Sequence, residues 1–237
     1  MAGELFPRIP YTLDRFFDRS CWTIKGSTFR NYLIDFAKVD ADDLLPGFLK
    51  RLSSKNPAVV IDLMASNGAL RTLHRDVLRG GPLKALSVDY QFKGREDERR
   101  LDLSHGIECL EGDLNHIATW RKIEQWLSSQ KAHLIMERGY AGLDHIPTYG
   151  KYFRSKLGRL WRMLADDGML LLQTPPATIL KERGVPLDSW LRSLEDRKIY
   201  YRFLSGYDSM DAGRKYGLLM LSKTPRHTGF SDMAGRL

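Results

Sequence analysis

The chain has 237 residues, 43% hydrophobic and 28% charged, which gives enough apolar material for a full core and excludes a disordered or fibrous protein. No apolar stretch approaches the ~18 residues of a membrane span, so no membrane partner is expected. The net charge of +8 is uneven: residues 57–114 carry 8 basic and 10 acidic side chains, whereas 115–174 carry 9 and 5 and 175–237 carry 11 and 7.

Residues 1–56 read as a helical, aromatic extension (Phe16, Phe17, Trp22, Phe29, Tyr32), taken as an N-terminal cap or lid. Glu4, Asp14 and Asp18, with no apolar h-region, leave no signal peptide to expect. Cys21 and Cys109 are too few for a disulfide scaffold, and with the absence of metal-spaced His, Asp or Glu they point to a reducing, cytoplasmic setting without a metal.

From residue 57 strands and helices alternate. Strands are expected at 58–63, 84–89, 106–111, 132–137, 168–173, 199–205 and 216–222, with helices near 69–79, 92–102, 115–129 and 151–165. Short buried strands separated by helices imply βαβ crossovers and a mainly parallel sheet covered on both faces. The last two strands are too close for a helix between them and should pair antiparallel. The expectation is a doubly wound α/β domain over 57–222 with a seven-stranded sheet ending in an antiparallel hairpin. A polar tail, 223–237, follows.

The turn after the first strand, Asp62-Leu63-Met64-Ala65-Ser66-Asn67-Gly68, is the most informative segment. A dinucleotide site needs two early glycines so that backbone can approach a pyrophosphate, and this turn has one glycine at its end. A P-loop Lys-Ser/Thr pair is absent too. Both omissions favour a nucleoside ligand without phosphates, such as S-adenosylmethionine. Asp89, followed by Tyr90, ends the second strand where a carboxylate can accept both ribose hydroxyls. Asp113 follows the third strand, where a carboxylate can accept the exocyclic amine of adenine while the Leu114 N–H serves a ring nitrogen. Each strand-terminal Asp reads equally well as a cap for the next helix.

Acids in order after three successive strands, with the small-residue turn, resemble the class I S-adenosylmethionine-dependent methyltransferases over residues 57–222. The resemblance implies an S-adenosylmethionine site made by Asp62, Met64, Ala65, Ser66, Asn67, Gly68, Asp89, Tyr90, Asp113 and Leu114. In that family the turn backs the methionine part of the cofactor, but Met64 and Ser66 stand here where glycine is usual.

The resemblance places the methyl acceptor near the end of the fourth strand, Glu137 to His145. Glu137 and His145 are candidate proton acceptors there, and Tyr140 a candidate orienting hydroxyl; alternatively Glu137 pairs with Arg138 or caps a helix. No Asn/Asp-Pro-Pro-aromatic segment or Pro-Cys nucleophile follows the strand. The acceptor is expected to be a small molecule or modified peptide. An RNA acceptor using the basic second half, a non-catalytic nucleoside- or protein-binding relative, and aminopropyl transfer on the same fold are the alternatives. The basic residues Lys151, Arg154, Lys156, Arg159 and Arg162 read as a solvated helix face or a phosphate-tracking one.

Overall fold

The computed structural model describes residues 44–63, 68–89, 96–137, 150–197, 199–208 and 215–222. In chain order the elements are α1 (Leu44–Leu52), β1 (Ala58–Leu63), α2 (Ala69–Thr72, continued by a π-helical turn Leu73–Val77), β2 (Leu83–Asp89), α3 (Glu96–Ser104), β3 (Ile107–Glu111), α4 (Ile117–Leu127), β4 (Ala132–Glu137), α5 (Gly150–Met163), β5 (Leu164–Thr174), α6 (Ala177–Glu182), α7 (Leu187–Asp196), β6 (Tyr200–Asp208) and β7 (Lys215–Ser222).

The seven strands form one sheet in the order β3-β2-β1-β4-β5-β7-β6. β1 to β5 are parallel, and β7 pairs antiparallel with both β5 and β6. The order reverses between β1 and β4, so the carboxyl ends of these two strands flank the switch point at which open α/β sheets leave a crevice.

Helices cover both faces, and the strand side chains sort accordingly. Val59, Ile61, Leu63, Val88 and Ile135 pack with Trp120 and Ile123 of α4 and Leu157 and Leu160 of α5. Ala58, Val60, Ala85, Leu134 and Met136 pack on the opposite face with Leu45, Phe48 and Leu52 of α1 and Leu70 and Leu73 of α2. Burial on both faces explains why β1 reads AVVIDL with no polar alternation. Among the described residues no helix is long and apolar enough to cross a membrane.

The expected seven-stranded architecture stands, with shifted ends. β5 starts at Leu164, directly after α5, rather than at 168. Gly168 permits this, because a Cβ there would lie 2.9 Å from the carbonyl oxygens of both Ala132 and His133, where the β4–β5 register shifts. α3 runs from Glu96 to Ser104 rather than 92–102. Two further helices lie between β5 and β6: α6 starts directly after Pro175 and Pro176, as prolines at a helix start allow, and α7 buries Leu187, Trp190 and Leu194, a spacing of three and four residues on one stripe.

Candidate cofactor and acceptor site

Register places the strand-terminal acids relative to one another. Asp62 stands opposite Ser87, so Asp89, two residues further along β2, lies on the same face of the sheet as Asp62. Both are buried, at 1% and 3% exposure, at the carboxyl edge beside the switch point. Asp89 in turn pairs with Glu111, and its carbonyl oxygen accepts the Gly112 N–H at 2.8 Å. Two buried carboxylates thus stand at the carboxyl ends of adjacent central strands.

Gly68 enters α2 in a left-handed conformation, φ 78° and ψ 21°, and its carbonyl accepts the Thr72 N–H at 2.9 Å. That conformation favours glycine. A Cβ would also stand 2.5 Å from Nη2 of Arg71, whose guanidinium is committed to α3 through Glu98 and Asp102. Met64, Ala65, Ser66, Asn67 and Tyr90, together with Tyr140 and His145, lie outside the described residues.

After β3 the chain turns tightly. Gly112 is needed for close approach, since a Cβ would meet Oγ1 of Thr119 at 2.7 Å. Asp113 Oδ1 accepts the Asn115 N–H at 2.8 Å, and Oδ2 lies 3.6 Å from His116 Nε2. The carboxylate therefore serves its own turn, as a cap would. The Leu114 carbonyl accepts the Trp120 Nε1 hydrogen at 2.8 Å, which anchors the turn to the core. The buried Oδ1 of Asn115 has no hydrogen-bond partner among the described residues.

Glu137 ends β4 opposite Leu63, on the face away from Asp62. It is 1% exposed, and its two oxygens accept from Lys156 Nζ of α5 at 3.0 and 3.1 Å. Arg138 lies outside the described residues. Lys156 is 3% exposed and so does not belong to the solvated or phosphate-tracking basic face that the sequence of α5 suggests. The signal was in the helix: at ~100° per residue Lys156 falls about 40° from Leu160 and about 20° from Met163, inside the apolar stripe. Arg159 is also committed, 2.7 Å from Glu124 and stacked 5.9 Å from the Trp120 ring centre, whereas Arg162 is exposed.

At the opposite, amino edge of the sheet His133 Nδ1 accepts the Val59 N–H at 3.0 Å, so that nitrogen carries no proton. Burial, and then the neighbouring Lys55 ammonium, push the His133 pKa below its usual value against the opposing pull of Asp167. Asp167 is itself paired with Lys55; burial alone would raise its pKa, but that hydrogen bond and the charges of Lys55 and His133 bring it below normal.

An adenosyl cofactor fits the carboxyl edge on three observations: two buried acids on one face, a turn ending in left-handed Gly68, and an orphaned amide oxygen after β3. Acid acceptors suit hydroxyl and amine donors.

No protein-family model and no curated protein sequence matches the chain. Among solved structures it is similar to a precorrin-6y C5,15-methyltransferase from Geobacter metallireducens (12% identity, 76% of this chain and 87% of that one, TM-score 0.44). It is likewise similar to an rRNA methylase from Streptococcus thermophilus (15%, 75% and 92%, TM-score 0.47). A ribosomal protein L11 methylase from Lactobacillus delbrueckii subsp. bulgaricus aligns at 19% identity over 76% of this chain and 77% of that one, with a TM-score of 0.40. The assignment of the fold rests on strand order and register rather than on these values. With five parallel strands in a doubly wound sheet closed by an antiparallel hairpin, the chain has the Rossmann-like fold of the class I S-adenosylmethionine-dependent methyltransferases.

Proposed function

We propose that this protein is an S-adenosylmethionine-dependent methyltransferase whose cofactor lies along the carboxyl ends of β1, β2 and β3. The observation that carries the proposal is the pair Asp62 and Asp89, buried on one face at the ends of adjacent central strands. In this reading Asp89, with Tyr90 beside it, holds the ribose hydroxyls. The turn from Asp62 through Met64, Ala65, Ser66 and Asn67 to Gly68 backs the methionine part. The Asp113–Leu114 turn receives adenine.

When bound, the cofactor supplies an electrophilic methyl group on a sulfonium. The chain's own contribution is to align the acceptor in line with that methyl, exclude water and, for a protonated acceptor, take a proton. Glu137, Tyr140 and His145 are the groups proposed for the acceptor side. Lys156 joins them as the residue that holds the Glu137 carboxylate in place.

A small-molecule or peptide acceptor remains the favoured reading. Two of the five basic residues of α5 that suggested a nucleic-acid surface, Lys156 and Arg159, are committed to internal ion pairs. An RNA acceptor would show a steep fall of affinity with salt, because each phosphate contact releases counterions.

The test is native mass spectrometry of the purified chain equilibrated with S-adenosylmethionine. A one-to-one complex, converted to the demethylated product in the presence of acceptor, is the expected result. A stable complex that never turns over would assign a non-catalytic binder instead, and no complex at all would refute the proposal.

A further inference from the structure

We propose that the groove between α2 and α3 is a binding site for a small phosphorylated molecule, with Arg79 as its principal anion contact. The two helices leave a cavity of about 750 Å³, within the size range of small-ligand sites. Arg71, His74, Arg75, Arg79 and His105 line it, with no acid among its described lining residues. It begins beside Gly68 and so abuts the acidic carboxyl edge without sharing its chemistry.

Nearby acids stand outside the lining and fix two of these bases. Arg71 gives Nη1 and Nη2 to Glu98 and Asp102, and Arg75 gives Nε and Nη2 to Asp76. Arg71 Nε and Arg75 Nη1 make none of these bonds. His74 Nε2 donates to the Gly81 carbonyl at 3.0 Å and His105 Nδ1 to the Leu101 carbonyl at 2.8 Å, so the second nitrogen of each ring is uncommitted among the described residues. Three guanidinium groups and the three carboxylates bonded to two of them balance in charge. Long-range attraction is therefore weak, and the site selects by donor geometry. A phosphate suits forked donors arriving from several directions, since it offers several acceptor oxygens.

Arg79 is the residue the fold least explains. Its backbone is left-handed, φ 52°, directly before Gly80 at φ 74°. The Leu78 N–H donates to the Leu73 carbonyl at 3.1 Å and the Gly80 N–H to the His74 carbonyl at 3.0 Å, closing α2 around it. Glycine or asparagine would take that conformation at less cost. The arginine is exposed, so burial does not offset the strain. A strained residue whose side chain lines a cavity points to a use for that side chain.

The test is calorimetric titration of inorganic pyrophosphate into the full chain. One saturable site is expected, weakening only a few-fold between about 50 and about 200 mM salt. Arg79→Gly should weaken binding about five- to tenfold, the low end for a charge-assisted hydrogen bond because the side chain is exposed. The same variant should melt at or above the wild-type temperature, because the left-handed turn is relieved. Arg79→Asn, which also tolerates that turn, should match it in binding. Arg100→Ala removes a charge from α3 that is 75% exposed and does not line the cavity, and should bind like wild type. Equal weakening by Arg79→Gly and Arg100→Ala, or no binding by wild type, overturns the site. A lower melting temperature in Arg79→Gly shows that the arginine serves the fold and overturns its assignment. A single-stranded RNA oligomer bound more tightly than pyrophosphate, with a steep salt slope, overturns the small-molecule ligand.

Discussion

Lys156 Nζ lies 3.0 and 3.1 Å from the two carboxylate oxygens of Glu137, with both side chains almost wholly buried. The pair ties the middle of α5 to the last residue of β4, across the connection that carries Tyr140 and His145. Burying two charges is costly even when they meet, so a well-packed apolar pair would stabilise the fold at least as well. Its value is better sought in fixing where β4 ends relative to α5.

That view predicts an asymmetry in the mutants. Lys156→Met alone should lower stability by about 3–5 kcal/mol, because it leaves the Glu137 carboxylate buried without its cation. The double variant Glu137→Met with Lys156→Met should recover most of that loss. Urea unfolding of the three proteins checks this; equal losses in single and double variants would contradict it.

Gly68→Ala should cost about 1–2 kcal/mol, since an L-residue is strained at φ 78° and the new methyl would press on Arg71. The Arg71 contacts to Glu98 and Asp102 would have to give way for it to fit. Chemical denaturation measures the loss, and calorimetry should show weaker S-adenosylmethionine binding by the same variant.

Stability should depend on pH through His133. Its pKa is lower in the folded chain than the ordinary 6.5, first because of burial and then because of Lys55, so the unfolded chain takes up the proton more readily. The folded state is therefore unpenalised above pH 6.5 and loses stability as the pH falls below it, until the folded pKa is passed. Asp167, with its pKa brought below 3.8, adds a separate loss only as the pH falls below that value. Urea midpoints measured downward from pH 7.5 should fall first below about 6.5, and His133→Gln should flatten that upper part of the profile alone.

The parts of this molecule legible in its sequence are those decided by local pattern. Val59, Val60 and Ile61 mark a strand buried on both faces, and Asp62, Asp89 and Glu137 mark where strands end, because an acid terminates an apolar run at a polar edge. Partnerships across the fold were not legible in the same way. Lys156 reads as one of a basic row because the net charge along α5 hides its place on the apolar stripe. Asp113 read equally as ligand or cap, and only the 2.8 Å contact to the Asn115 N–H distinguishes the uses of its two oxygens. Asn115 carried no signal, since an orphaned atom is defined by what surrounds it.

The most direct measurement of the central claim is calorimetric titration of S-adenosylmethionine into the full chain and into Asp89→Ala. Wild type should bind one equivalent, and the variant should bind more weakly by about 1.5–3 kcal/mol, the scale of charge-assisted hydrogen bonds to the ribose. Binding of equal strength by both proteins, or none by wild type, would contradict the placement of the cofactor at the ends of β1 and β2.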